Sequence, residues 1–460
     1  MRQQIGTTAL VLLIAGAIDS IRNLPATALF GSSLVFYFIL AAVIFLIPTS
    51  LVSADLASTF TQRSGVFAWV SYALGKPMGV IAIWLQWINT MVWYPTILSF
   101  IAGTATYLID PSLAQDKLYL ISVILIVFWS VTLINLKGLY VSTRFTGFCA
   151  VIGMIIPIIL IILLGAAWLV MTKPIQIHLG WSHLLPQWHE KQDWVALTAI
   201  MTAFLGMELA TVHVTDVHEP QKTFPKALLF SVLLILGTMI AGSLSIAIVL
   251  PHGHIDLVDG VMQAFAHFLA AYHLSFLTPV LTVMILIGSL GGMVNWIISP
   301  AKGLLHAGQE GYLPKWLSRE NDRGVASRVL ILQAIIVSLV CLAFLLMPSV
   351  NGVYWLLTDL STEVYILMYV LMFISAIVLK WGYYLPESGF SIPGGNFGMV
   401  TTCGLGLIGC LVTLTVGFIP PADIDVGSTL YYVSVFATGI FLMVSPVGIL
   451  FIYKAWQKNN

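Results

Sequence analysis

One pattern limits the chain before anything else is read. Twelve long apolar runs follow one another from end to end, each near the roughly 20 residues that a bilayer-spanning helix needs. They cover 5–30, 34–55, 77–108, 117–136, 147–171, 194–217, 227–250, 275–305, 328–347, 352–379, 398–419 and 429–453. Only 8% of the 460 residues are charged, whereas soluble globular chains carry about 25%. The expected class is an all-α integral membrane protein with 12 transmembrane helices, since a β-barrel would show short alternating segments instead. The first run leads directly into a second, so it reads as a retained helix and not a cleaved signal.

Lysine and arginine set the expected orientation. With the N-terminus inside, fifteen fall in inner connections, only Lys117, Lys173 and Lys191 fall outside, and Arg22 is left within the membrane. Both termini are therefore expected on the cytoplasmic side of the inner membrane. The histidines lean the other way: His178, His183, His189, His252, His254, His267 and His273 lie in outer segments. They read either as loop filling or as outward pH sensors, because imidazole titrates in the mildly acidic range. Cys149, Cys341, Cys403 and Cys410 all fall in apolar runs and read as small hydrophobes. No metal site and no cofactor are expected, and a formal net charge of zero gives no reason to expect a nucleic-acid partner.

Two of the runs are interrupted. The first contains "AGAIDSIRNLP", where Gly16 and Ala17 weaken the helix, Asp19 suits the N-cap of a second half and Pro25 adds a kink. The sixth, "AIMTAFLGMELATVHVTDVHEP", carries Gly206 and Glu208 near its middle. Unwound backbone at membrane depth survives only where it lines a cavity or is buried in protein. Interruptions at matching positions of two oppositely oriented five-helix halves predict inverted repeats around a midplane site, over 1–171 and 194–379, which leaves the helices at 398–453 outside both halves.

Asp19, Arg22, Glu208, Asp359 and Glu363 sit well inside apolar runs, where each costs at least ~2.5 kcal/mol unless paired or wet. At 1.5 Å per residue, Arg22 and Asp359 lie at similar depths, about 12 and about 10 Å below the outer ends of their helices. They are expected to pair as an outer gate. Asp19, Glu208 and Glu363 fall near the midplane and are expected to surround or support the substrate.

The segments "FLGMELATVHVTDVHEPQKTFPKAL", "SIRNLP", "WLQWINTMVWYPTILSF", "SPAKGLLHAGQEGYLP", "LSTEVYILMYVLMF" and "FSIPGGNFGM" resemble the amino acid–polyamine–organocation superfamily, and within it the glutamate:GABA antiporter branch. The resemblance runs in order from residue 16 to about residue 421. It implies the leucine-transporter (LeuT) fold, with substrate held by the broken backbone of helices one and six. By position this concerns Ile14, Ala15, Gly16 and Ala17, then Phe204, Gly206, Met207 and Glu208. Helix three supplies aromatics, Trp87, Trp93 and Tyr94, which read equally as packing; Trp296 in helix eight is a weaker candidate.

Three departures stand out. No long C-terminal plug follows helix twelve. Helix five has Gly147 and Gly153 where several relatives place a lysine. Asp19 would compete with a substrate carboxylate, which leaves room for a cationic substrate or for a role in proton coupling. The expected activity is secondary transport of a small molecule, an amino acid or related amine, as an antiporter of glutamate/GABA type. A proton-coupled uptake symporter is the alternative, and neither sodium coupling nor oligomeric state is legible. An enzyme would need a nucleophile–base or metal cluster at one face, and the outer histidines show no such spacing.

Overall fold

In the computed structural model the described residues are all but 1–5, 61–64, 138–147, 150, 187–190, 210, 212–216, 218, 310–313, 315, 383–389 and 460. Among them nine helices are long and apolar enough to cross a membrane. In chain order the helices are α1 (Thr7–Ile18), α2 (Leu24–Ala28), α3 (Gly31–Thr59), α4 (Val66–Leu74), α5 (Lys76–Thr106), α6 (Lys117–Leu136), α7 (Val151–Val170) and α8 (Lys191–Ala203). They continue as α9 (Pro220–Val249), α10 (Gly260–Ala271), α11 (Thr278–Gln309), α12 (Ser327–Leu346), α13 (Val350–Gly382), α14 (Gly395–Val416) and α15 (Thr429–Asn459). Every expected apolar run contains helix. The short helices α4 and α10 lie between runs, where no spanning segment was expected.

Helix ends outside the apolar runs are set by local chemistry. Asp116 starts α6 by accepting hydrogen bonds from the Leu118 and Tyr119 N–H groups, which have no partner within the helix. Inside the bundle, α5 and α13 pack along each other and form its spine, with α14, α11 and α4 against them.

Both expected breaks are present, but one is displaced. Gly16 lies within regular helix, and α1 continues to Ile18. The chain then leaves the helix at Asp19 and Ser20 and resumes as a 3-10 turn over Ile21–Asn23. Glycine lowers helix propensity without ending a helix. Nor does Asp19 cap the second half: it closes α1, its N–H donating to the Ala15 carbonyl, and the turn after Ser20 has no side-chain cap. The sixth run breaks as expected. α8 stops at Ala203, and Gly206 has φ +105°, a conformation that side chains other than hydrogen rarely adopt. The breaks meet, since a Cβ placed on Gly206 would lie 3.7 Å from Ile18.

Gly153 has a packing role. A Cβ there would collide with the backbone of Gly288, so α7 and α11 touch backbone to backbone. Small residues permit this approach between membrane helices, whose association rests on van der Waals packing. Gly153→Ala is expected to cost about 1–3 kcal/mol by overpacking, read as a lower Tm of the solubilised protein. An unchanged Tm would rule out the close crossing.

Outside the spanning segments, the loop at 256–259 ties α5 to α13. Tyr107 donates to Asp259 Oδ2 at 3.1 Å, and Asn351 Nδ2 donates to Asp256 Oδ1 at 3.1 Å. Burial first, and the neighbouring Asp256 second, push the Asp259 carboxyl up from 3.8 to about 7. The folded protein therefore keeps this proton where the unfolded chain has lost it, and stability falls as pH rises through that window. Asp259→Asn removes the loss. The Tm of this variant is expected to rise relative to wild type as pH climbs from about 4 to about 7; a difference that does not vary with pH would contradict the assignment.

Candidate functional site

The meeting point of the two breaks opens into a cavity of about 60 Å³. Ile18, Ser20, Arg22 and Asn23 line it from the first break, and Thr202 and Leu205 from the second. α5 contributes Asn89, Thr90 and Trp93, and α13 contributes Thr358, Ser361 and Tyr365. On α13 the lining positions are three and four residues apart, and on α5 Asn89 and Thr90 lie four and three residues before Trp93, in each case one face of a helix. Polar groups facing inward from an apolar helix are the mark of a wet or ligand-filled interior.

One end of the cavity is cationic. Arg22 is 4% exposed, yet no carboxylate meets its guanidinium among the described residues. Its Nη1 donates to the Thr96 hydroxyl at 2.6 Å, and the guanidinium lies 5.3 Å from the centroid of the Trp93 ring. Its Nε has no acceptor among the described residues. The expected gate is thus not formed. Asp359 lies on another face of α13, where its Oδ2 accepts from Tyr432 of α15 at 2.7 Å. Matching depth brought these two residues to one level, but helix rotation separates them.

The other end is acidic at one remove. Glu208 is fully enclosed, and its Oε1 accepts from Tyr365 at 2.6 Å and from Gln86 Nε2 at 3.1 Å. The Tyr369 hydroxyl donates to its Oε2. The same hydroxyl accepts the Gly206 N–H at 2.8 Å, a backbone group freed by the break. Glu208 therefore holds the second break through Tyr369 and reaches the cavity through Tyr365, without lining it.

The remaining expected positions divide. Trp93 lines the cavity, whereas Tyr94 turns to the far side of α5 and packs on Phe128 with ring centroids 5.0 Å apart. Trp87 also faces away, donating to Gln333 at 3.0 Å. Asp19 points to α9 and accepts from Thr238 at 2.7 Å, so it is not a wall of the cavity. Ile14, Ala15 and Gly16 lie one turn back inside α1 because the break comes later than expected. Phe204 packs against Phe38, and Met207 is buried. Glu363 stands one turn from Asp359 and lies against Gly417, outside the cavity. The side chains of Ala17 and Trp296 lie outside the described residues. Among the described residues no group of three His, Cys, Asp or Glu side chains could hold a metal.

Sequence reading passed over Asn89, Thr90, Thr202, Thr358, Ser361 and Tyr365. Their spacing was the available signal, but small hydroxyls and amides in membrane helices carry less prominence than charges. Tyr369→Phe is expected to leave the Gly206 N–H unpaired and Glu208 short of one donor. Each loss costs about 1–3 kcal/mol, read as a lower Tm together with slower transport. Wild-type values for both would show that the break does not depend on this bridge.

Comparison with known proteins agrees with this architecture. An amino acid permease family model matches residues 5–443. The chain is 39% identical to an uncharacterised transporter of Legionella pneumophila over 436 residues, 95% of this chain and 94% of that one. It is 27% identical to a glutamate/gamma-aminobutyrate antiporter of Lactococcus lactis over 97% of this chain and 90% of the relative. It is 24% identical to a putrescine transporter of Escherichia coli over 70% of this chain and 71% of the relative. The protein belongs to the amino acid permease family, multi-pass membrane transporters of the amino acid–polyamine–organocation superfamily.

Proposed function

We propose that the protein is an antiporter that exchanges an amino acid for its decarboxylation product, of the glutamate/GABA kind, across the inner membrane with both termini cytoplasmic. The observation that carries this reading is Arg22, a buried cation that faces the cavity and meets no carboxylate among the described residues. A substrate carboxylate would supply the missing charge and a hydrogen bond of the stronger, charge-assisted kind. Glutamate keeps one carboxylate after losing the other, so both partners of such an exchange can use the same arginine. A diamine has no group to offer it.

The ammonium end finds complementary chemistry opposite. The last carbonyls of α1 and α8 carry the partial negative charge of a helix C-terminus, and Tyr365 links the cavity to Glu208. The relatives named for glutamate/GABA exchange and for putrescine transport bracket the choice. The arginine favours the first. An uptake symporter would use the same site, and the exchange reading rests on the likeness to the antiporter.

The same reading gives twelve spanning helices in the leucine-transporter arrangement, with inverted halves over 1–171 and 194–379 and a peripheral pair at 398–453. Its support is that the first helix of each half breaks and that the two breaks meet at Ile18 and Gly206.

The test is counterflow in liposomes that contain unlabelled glutamate, GABA or putrescine. Labelled glutamate is expected to enter only against glutamate or GABA. Arg22→Gln should raise KM for both by about 10- to 100-fold, the worth of a hydrogen bond to a charged group. Uptake into empty vesicles would replace exchange with symport, and an unchanged KM would remove Arg22 from the site.

A further inference from the structure

Asp359 and Glu363 present a second, separate chemistry on the back of the same helix. They stand one turn apart on the side of α13 that packs against α14 and α15, and are 2% and 0% exposed. Tyr432 donates to Asp359 Oδ2. Asp359 Oδ1 and both oxygens of Glu363 are enclosed and have no protein donor among the described residues. The carboxylates flank Gly417: a Cβ there would collide with Glu363 and lie 3.2 Å from Asp359 Oδ1.

Among the described residues the neighbouring helices bring no positive charge to the pair. From α14, Cys410 faces Glu363, while Cys403 lies by Asp55. Asp55, on α3, is engaged by Lys380 at 4.0 Å and by the Ile392 N–H at 2.9 Å. On α5, Tyr94 packs against Phe128 and Lys76 opens the helix at its first residue; on α4, Tyr72 stacks on Phe60. The stretches 194–203 of α8 and 343–346 of α12 contain no titratable side chain. Arg22 is held at Thr96 and Trp93.

Two carboxylates side by side in an apolar interior need a positive charge between them. We infer that the Asp359–Glu363 pair is a proton-binding site whose loading is coupled to transport at the neighbouring cavity. This deepens the transporter reading above and rests on it. A proton suits the geometry better than a metal ion. Hard cations such as Ca²⁺ take about 6–8 oxygens; here three carboxylate oxygens are free and the tyrosine hydroxyl is already committed. A proton on one carboxyl removes one of the two charges and gives the pair an O–H donor where the described residues supply none to Glu363.

The link to substrate is also structural. A small cavity of about 10 Å³ is lined by Asp359 and by Asn23, Thr202 and Thr358, three residues that also line the larger cavity. Asp359 thus joins the pair to the substrate side, while Glu363 stays behind it.

The experiment uses the full chain in liposomes, with labelled glutamate exchanged against internal glutamate at equal pH on both sides. The wild-type rate is expected to change by about tenfold per pH unit on one limb of its profile. Glu363→Gln should still exchange, with a rate that varies less than about twofold over the same range. A Glu363→Gln profile that follows the wild type overturns the proposal. So does a rate that falls when choline replaces sodium in the wild type but not in Glu363→Gln, which would make the pair a sodium site. Infrared difference spectra of the solubilised protein decide independently of transport. A protonated-carboxyl C=O band present in wild type and absent from Glu363→Gln or Asp359→Asn supports the site, and its presence in all three overturns it. If the wild type exchanges no glutamate, the substrate reading fails while the infrared result still decides the proton site.

Discussion

The bridge from Glu208 through Tyr369 to the Gly206 N–H is the interaction on which the site depends. A helix that stops inside a membrane leaves backbone groups that lipid cannot satisfy. Here the Tyr369 hydroxyl accepts the Gly206 N–H and donates its own O–H to a carboxylate that two further donors hold in place. The unwound turn is thereby fixed, and with it the gap between α8 and α1. The cavity exists because the break is stabilised from the side, by α13 and α5, and not from within the broken helix.

Charge is distributed around that gap unevenly. The cavity has a cation in its wall and a carboxylate behind a tyrosine, so the field across it runs in one direction. A zwitterion with its carboxylate toward Arg22 lies along that field. Three other buried acids stay out of the cavity wall: Asp19 turns to Thr238, Asp359 is held by Tyr432, and Glu363 lies against Gly417. Acids kept out of the wall leave Arg22 free of competitors for a carboxylate.

Much of this was legible in the sequence, and the limits follow from geometry. Hydropathy and the lysine–arginine bias located the helical runs, and the Gly206–Glu208 spacing located the second break. Depth along a helix follows from counting residues; direction around it does not, unless the neighbours are known. Asp359 and Tyr365 are near in sequence but six positions apart, which puts them about 120° apart around the axis at 100° per residue. One serves the α15 interface and the other the cavity. The same ambiguity turned Tyr94 and Trp87 away from the site while keeping Trp93 on it. The first break moved from Gly16 to Asp19 because a glycine weakens a helix while neighbouring helices decide where it ends.

The contact of Gly153 with Gly288 bears on how such a molecule moves. Side chains between two helices act as bearings: they can change rotamer and let one rod slide or turn against the other. Where backbone meets backbone no such layer exists, and the two rods are keyed together. α7 and α11 would then travel as one stiff plate, and a change of access between the two sides of the membrane would fall on the interrupted helices, whose unwound turns bend more easily than the keyed pair.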